Sequence, residues 1–124
     1  MKVKGREIGF WYSSRAHMQL AKYCPGGDPN RLPEAFLEPD YAKRAEFSAR
    51  FCAILANCYE ISEAHRDPTY KPARWEPEDF LDEISAEQAA TIEAMAAESY
   101  REQRKVTVLT APKKGDAGAE EAEK

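Results

Sequence analysis

No run of apolar residues in this 124-residue chain approaches the ~18 that a membrane span needs, and the opening MKVKGREIGF lacks the apolar centre of a signal peptide. The chain therefore reads as cytosolic. Basic residues are not in excess: 18 Lys and Arg stand against 22 Asp and Glu, for a net charge of −4. That leaves no surplus to neutralise a phosphate backbone, so nucleic acid is not an expected partner. Glycine-rich phosphate loops of the Walker or dinucleotide type are missing. Histidine is reduced to two residues, and the three cysteines, Cys24, Cys52 and Cys58, include no C-x-x-C pair. An odd number cannot all pair, and two of them sit in a helical pattern where buried thiols are common, so free thiols are expected.

What is present is an ordinary globular balance, 43% apolar and 32% charged, in a length that suits one modest core. Val3-Lys4-Gly5-Arg6-Glu7-Ile8-Gly9-Phe10 reads as a short hairpin. Ser13 or Ser14 then caps a helix with His17, Leu20, Ala21 and Cys24 on its apolar face, and Pro25 ends it at Cys24. Gly26 and Gly27 supply the positive φ of a helix exit, and Asp28-Pro29 starts a short helical stretch through Phe36 and Leu37. Asp40 opens the longest periodic segment, running to about Arg66. Phe47, Phe51, Ile54, Leu55, Cys58 and Ile61 line one face, with Lys43, Arg44, Arg50 and Glu60 largely elsewhere. Asp67-Pro68 stops it, and Thr69 to Trp75 is expected to be irregular. Glu76-Pro77-Glu78-Asp79-Phe80-Leu81 has the look of a short helix, and Ser85 with Gln88 forms a capping box for a last, alanine-rich helix ending near Gln103. The expected fold is mainly α: one small helical domain over residues 1–103 with a short N-terminal β-hairpin, and a flexible polar tail over 104–124.

Four kinds of chemistry were weighed against this scaffold. Gly26-Gly27-Asp28 precedes a helix start, but Asp28 places a negative charge where a phosphate would sit, and turn and cap roles account for each residue. His17 and Cys24, like Cys58 and His65, are seven residues apart, or about 10 Å along a helix, so neither pair chelates one ion. Cys52 or Cys58 could meet His17 in space, yet no glycine-rich turn exposes a nucleophile or builds an oxyanion hole. Glu76, Glu78, Asp79, Asp82 and Glu83 are explained as a solvated helix start. No catalytic residue, metal ligand or cofactor site is assigned, and enzyme activity is not expected.

The aromatics point elsewhere. Phe10, Trp11 and Tyr12 are consecutive and cannot all face one side of a strand, while Tyr70, Trp75 and Phe80 flank the proline-containing connection. Exposed aromatics are enriched at protein interfaces. Trp11, Tyr12, Tyr70, Trp75 and Phe80, with Ile92 and Met95 of the last helix, are the candidate partner-binding residues. The alternative is that they close the ends of a small helical core.

The opening KVKGREIGF, the helix closing in CPGGDPNRL and the polar end APKKGDAG together resemble the tail assembly chaperones of long-tailed bacteriophages and their prophages. The likeness covers most of the chain in layout, and its most specific part is the CPGGD neighbourhood. It implies a non-enzymatic, mostly helical protein in the cytoplasm of the bacterial host. Such a protein binds the tape-measure protein, keeps it soluble, helps recruit tail-tube subunits, and is absent from the finished virion. It also implies a programmed ribosomal frameshift near the end of the reading frame, for which Lys113-Lys114-Gly115 is the place to look. The aromatic run FWY and the long proline-containing connection depart from the family layout. The expected mode of action is capture of a partner's apolar helix in a groove between the central and last helices, with self-association as a further expectation. The alternative function is a structural phage component, such as a head-tail connector or other virion accessory protein.

Overall fold

A computed structural model describes residues 2–108. The chain is mainly helical, with β1 (Lys2–Val3), β2 (Arg6–Phe10), α1 (Ser14–Ala21), α2 (Leu32–Ala35), α3 (Tyr41–Arg66), α4 (Ala86–Glu102) and β3 (Val106–Val108). Short 3-10 turns cover Pro25–Gly27, Pro29–Arg31 and Pro77–Phe80. The hairpin is present as expected. Lys4 and Gly5 take φ of 56° and 72°, the left-handed pair that a two-residue turn needs to match the strand twist.

Local signals set the helix starts. Ser13 Oγ accepts from the Ala16 amide, Asp28 from Asn30, Asp40 from Lys43 and Ser85 from Gln88. Each satisfies an amide that the first helical turn leaves open. Gln88 answers by accepting from the Ser85 amide at 3.0 Å, which completes the capping box. The CPGGDPN segment is the expected joint: Gly26 and Gly27 have φ of 65° and 70°, and Asp28 is both the end of one turn and the cap of the next.

Three expectations need correction. Residues 104–124 were expected as one flexible tail, but β3 pairs antiparallel with β2, Phe10 opposite Val106 and Ile8 opposite Val108. The sheet therefore has three strands in the order β1-β2-β3. A β-branched Val-Thr-Val triplet carries little signal alone and becomes a strand because β2 offers it an edge. The rest of that stretch, with Lys113-Lys114-Gly115, lies outside the described residues. Second, α3 is not buried along a single face: Phe51, Cys52 and Ala53 are all buried, as are Leu55, Ala56 and Cys58, whereas Ile61 is exposed. β2, α1, α4 and the Pro77–Phe80 turn enclose it from several sides, and the Thr69–Trp75 connection is hydrogen-bonded to it through Ala73 and Trp75. Third, Glu60, expected off the apolar face, is almost completely buried.

The reason for that burial is a polar clamp. Glu60 Oε1 accepts from Arg6 Nη2 at 2.8 Å, Tyr70 Oη at 2.9 Å and the Ala73 amide at 2.8 Å. Arg6 also donates to the Lys71 carbonyl at 2.9 Å, and the carboxylate beside it pushes its pKa up. One oxygen thus ties β2, α3 and the irregular connection together, which offsets the cost of burying its charge. Asn57 does the same for Trp75, accepting from its amide and donating to its carbonyl, both at 2.8 Å. Buried Ser99 accepts from the Tyr12 amide and donates to the Arg104 carbonyl, so α4 holds the chain both where it leaves β2 and where it enters β3.

Close approach of β2 to α3 depends on Gly9. A Cβ there would stand 2.4 Å from the Tyr59 ring, well inside contact distance. Next to it the Trp11 amide donates to the Leu55 carbonyl at 3.1 Å.

Candidate functional site: the groove between α3 and α4

The first halves of α3 and α4 meet through Ser48 and Glu93 but pack incompletely on either side of that bond. Between them runs a groove of about 390 Å³. Its α3 wall is Tyr41, Arg44, Ala45, Ser48, Ala49 and Cys52, at the three- and four-residue spacing of one helix face. Its α4 wall is Ala86, Ala89, Ala90 and Glu93, and Leu81 and Ile84 close one end. Phe80 and Ile92 lie buried at its base. Between the longer Tyr41, Arg44 and Glu93, the helix positions that line the groove carry alanine, serine and cysteine, which leaves space that longer side chains would fill. Tyr41 and Leu81 stay 65% and 42% exposed at the mouth.

Polar atoms are few and mostly engaged. Ser48 Oγ donates to Glu93 Oε1 at 2.6 Å, linking the two walls across the groove. Arg44 donates to the Glu38 carbonyl at 2.7 Å, and its guanidinium lies 5.4 Å from the Tyr41 ring centre. The Cys52 thiol is pushed up by burial first and by the Glu93 charge second, which keeps it protonated and unreactive. Cys24 and Cys58 are also buried free thiols pushed up by burial. Among the described residues, no group of three His, Cys, Asp or Glu is placed to hold a metal ion. The arrangement offers apolar shape and a charged rim.

The seven residues singled out from the sequence separate clearly. Tyr12, Trp75, Phe80 and Ile92 are buried in the core. For Tyr12 and Trp75, which line no part of the groove, the core reading replaces the interface reading. Burial pushes the Tyr12 phenol up to about 12. Trp11, Tyr70 and Met95 are half-buried. Trp11 is the odd one out of the Phe10-Trp11-Tyr12 run, as strand alternation requires, and it borders a shallow hollow with Ile61 and His65. Tyr70 belongs to the Glu60 clamp, and Met95 packs against the core. Only Phe80 and Ile92 reach the groove, from beneath.

Tyr41, Ala45, Ser48, Leu81 and Ala89 were not singled out. For Ala45, Ser48 and Ala89 the signal was the recurrence of small residues at helical spacing on the central and last helices; Tyr41 and Leu81 carried none. A second concavity, about 330 Å³, lies against the other side of α3 and has the opposite character. Lys22, Arg50 and Arg74 line it, and the Lys22 and Arg50 cations stand 5.3 and 4.5 Å from the Tyr23 ring centre.

No protein-family model, no curated protein and no solved structure matches the chain. No helix among the described residues is long and apolar enough to cross a membrane.

Proposed function

We propose that this protein is a non-catalytic assembly factor of the phage tail assembly chaperone kind. It holds an apolar helical stretch of the tape-measure protein in the α3–α4 groove, keeps it soluble while the tail tube is recruited, and departs before the virion is complete. The observation that carries the reading is the groove itself: two helix walls with small residues at Ala45, Ser48, Ala49, Ala86, Ala89 and Ala90, buried Phe80 and Ile92 beneath, and exposed Tyr41 and Leu81 among its lining. Walls of this kind receive the Leu, Met or Phe side chains that project from one face of an amphipathic helix. The bacteriophage resemblance of KVKGREIGF and CPGGDPNRL supplies the identity of the partner.

Co-expression with the tape-measure protein of the same phage or prophage tests this. The soluble fraction of the tape-measure protein rises with the native chain and returns to its unassisted level with Ala89→Leu, which fills the groove. No rise with the native chain overturns the proposal. Mass spectrometry of purified virions separates it from the structural alternative, since a head-tail connector is retained in the particle and a chaperone is not.

A further inference from the structure

The concavity between α1 and α3, on the side of α3 away from the groove, is basic in a chain whose net charge is −4. Lys22, Arg50 and Arg74 line it, and the acid in its described lining, Glu76, is already bonded to Arg74 at 3.0 Å. Among the described residues neither Lys22 nor Arg50 makes an ion pair. Both converge on the Tyr23 ring, 5.3 and 4.5 Å from its centre, which sets the two charges within about 10 Å of each other, one screening length at 0.1 M salt. Arg50 is half-buried, so part of its hydration is lost; Arg6 and Arg44, half-buried like it, each donate to a protein oxygen. Two like charges held around one neutral ring are a standing repulsion that an anion relieves.

Apolar surface lies beside these charges. Ile54 and Ile61 stand on the same face of α3 as Arg50 and line the concavity, and Ile61 is exposed. From Arg50 to Ile61 the helix rises about 16 Å, the span of about five extended residues. We infer that this face is a docking site for an acidic peptide segment of a partner protein, separate from the α3–α4 groove. Its carboxylates meet Lys22 and Arg50, and an apolar side chain between them rests on Ile54 and Ile61. A nucleic acid fits less well: it carries charge at every nucleotide and is repelled by the acid excess elsewhere on the chain, whereas a peptide brings few charges and an apolar contact.

Labelled peptides and the full chain test this by fluorescence anisotropy. One peptide has a leucine flanked by glutamates, one the same leucine flanked by lysines, and one the glutamates with serine for leucine; an oligothymidylate of equal length is the fourth probe. The glutamate–leucine peptide binds at least about tenfold more tightly than either other peptide or the oligonucleotide at low salt, and the gap over the lysine peptide narrows as salt rises. The variant K22Q/R50Q weakens it at least about tenfold, and K22Q alone, at an exposed position, weakens it in the same direction. K43Q/R101Q removes the same charge at exposed positions outside the concavity and leaves binding unchanged, as does Ala89→Leu in the groove. Absence of binding by the glutamate–leucine peptide overturns the inference. So does an equal loss in K43Q/R101Q, which reduces the effect to general attraction, or equal binding of the serine peptide, which removes the apolar contact. Tighter binding of the oligonucleotide overturns it in favour of a nucleic acid.

Discussion

The two halves of α3 have been given opposite surroundings. From Leu55 to Arg66 the helix is fastened on several sides: β2 lies against it through Gly9, the Glu60 oxygen gathers three donors, and Asn57 pins Trp75. From Tyr41 to Cys52 one side stays open to the groove, with small side chains and no covering segment. The contrast shows where stability is concentrated and where surface is kept in reserve. A helix 26 residues long can serve both ends because its closed half fixes the position of its open half. A binding groove needs walls that hold their spacing without a ligand, or ordering them would cost affinity.

Substitutions in the closed half should damage folding, and those in the open half should damage only binding. The largest effect is expected at Glu60. Glu60→Ala leaves Arg6, Tyr70 and the Ala73 amide without their shared acceptor and should cost about 3 kcal/mol, read as a lower midpoint in urea. A cost below about 1 kcal/mol would remove the clamp from the argument. Gly9→Ala comes next, since the new methyl group collides with Tyr59 and either the strand or the ring must move; about 2 kcal/mol is expected by thermal unfolding. Ser85→Ala removes the cap of the helix that forms the second groove wall, and loss of that hydrogen bond should cost about 1 kcal/mol by chemical denaturation. The smallest change in stability is expected at the partly exposed Ala45. Ala45→Leu should shift stability by no more than about 0.5 kcal/mol while abolishing the gain in partner solubility on co-expression. If Ala45→Leu unfolds the chain as Glu60→Ala does, the division of α3 into two halves is wrong.

A related asymmetry appears in acid. Glu63, in the closed half, accepts from Lys105 at 3.0 Å and is paired with Arg66, and the Lys105 bond holds its carboxyl below the usual range. Because its folded value is lower than its unfolded one, its contribution is present above the unfolded value and lost as pH falls through the folded value. Protection of the Val106–Val108 amides, corrected for the intrinsic exchange rate at each pH, should therefore fall, once the pH is below the unfolded carboxyl value of Glu63, before protection in the middle of α3 does.

Most of the helical frame was legible because it is written locally. Ser13, Asp28, Asp40 and Ser85 each cap within three residues, and Asp67 ends α3 where Asp67-Pro68 stood in the sequence. The joint at CPGGD is likewise set by its own residues. What was not legible depends on distant partners. Glu60 looks like any solvated helical acid until Arg6, 54 positions away, is brought over it. Val106–Val108 looks like the start of a tail until β2 lies alongside. Trp75 and Phe80, flanking a proline-containing connection, have the composition of an exposed surface, but the connection folds back and places both inside. The groove was foreseeable as a region between the central and last helices; its lining was not, because alanine marks close packing and open space alike.

The pairing of β3 with β2 also governs how the chain reaches this state during synthesis. β1 borders one edge of the second strand, and its other edge is covered only when positions 106–108 have been made, so a strand made before all of the helices waits for one made after them. A nascent chain that stalls after α3 holds a half-bordered ribbon and an uncovered helix side, a sticky intermediate until α4 and β3 are added.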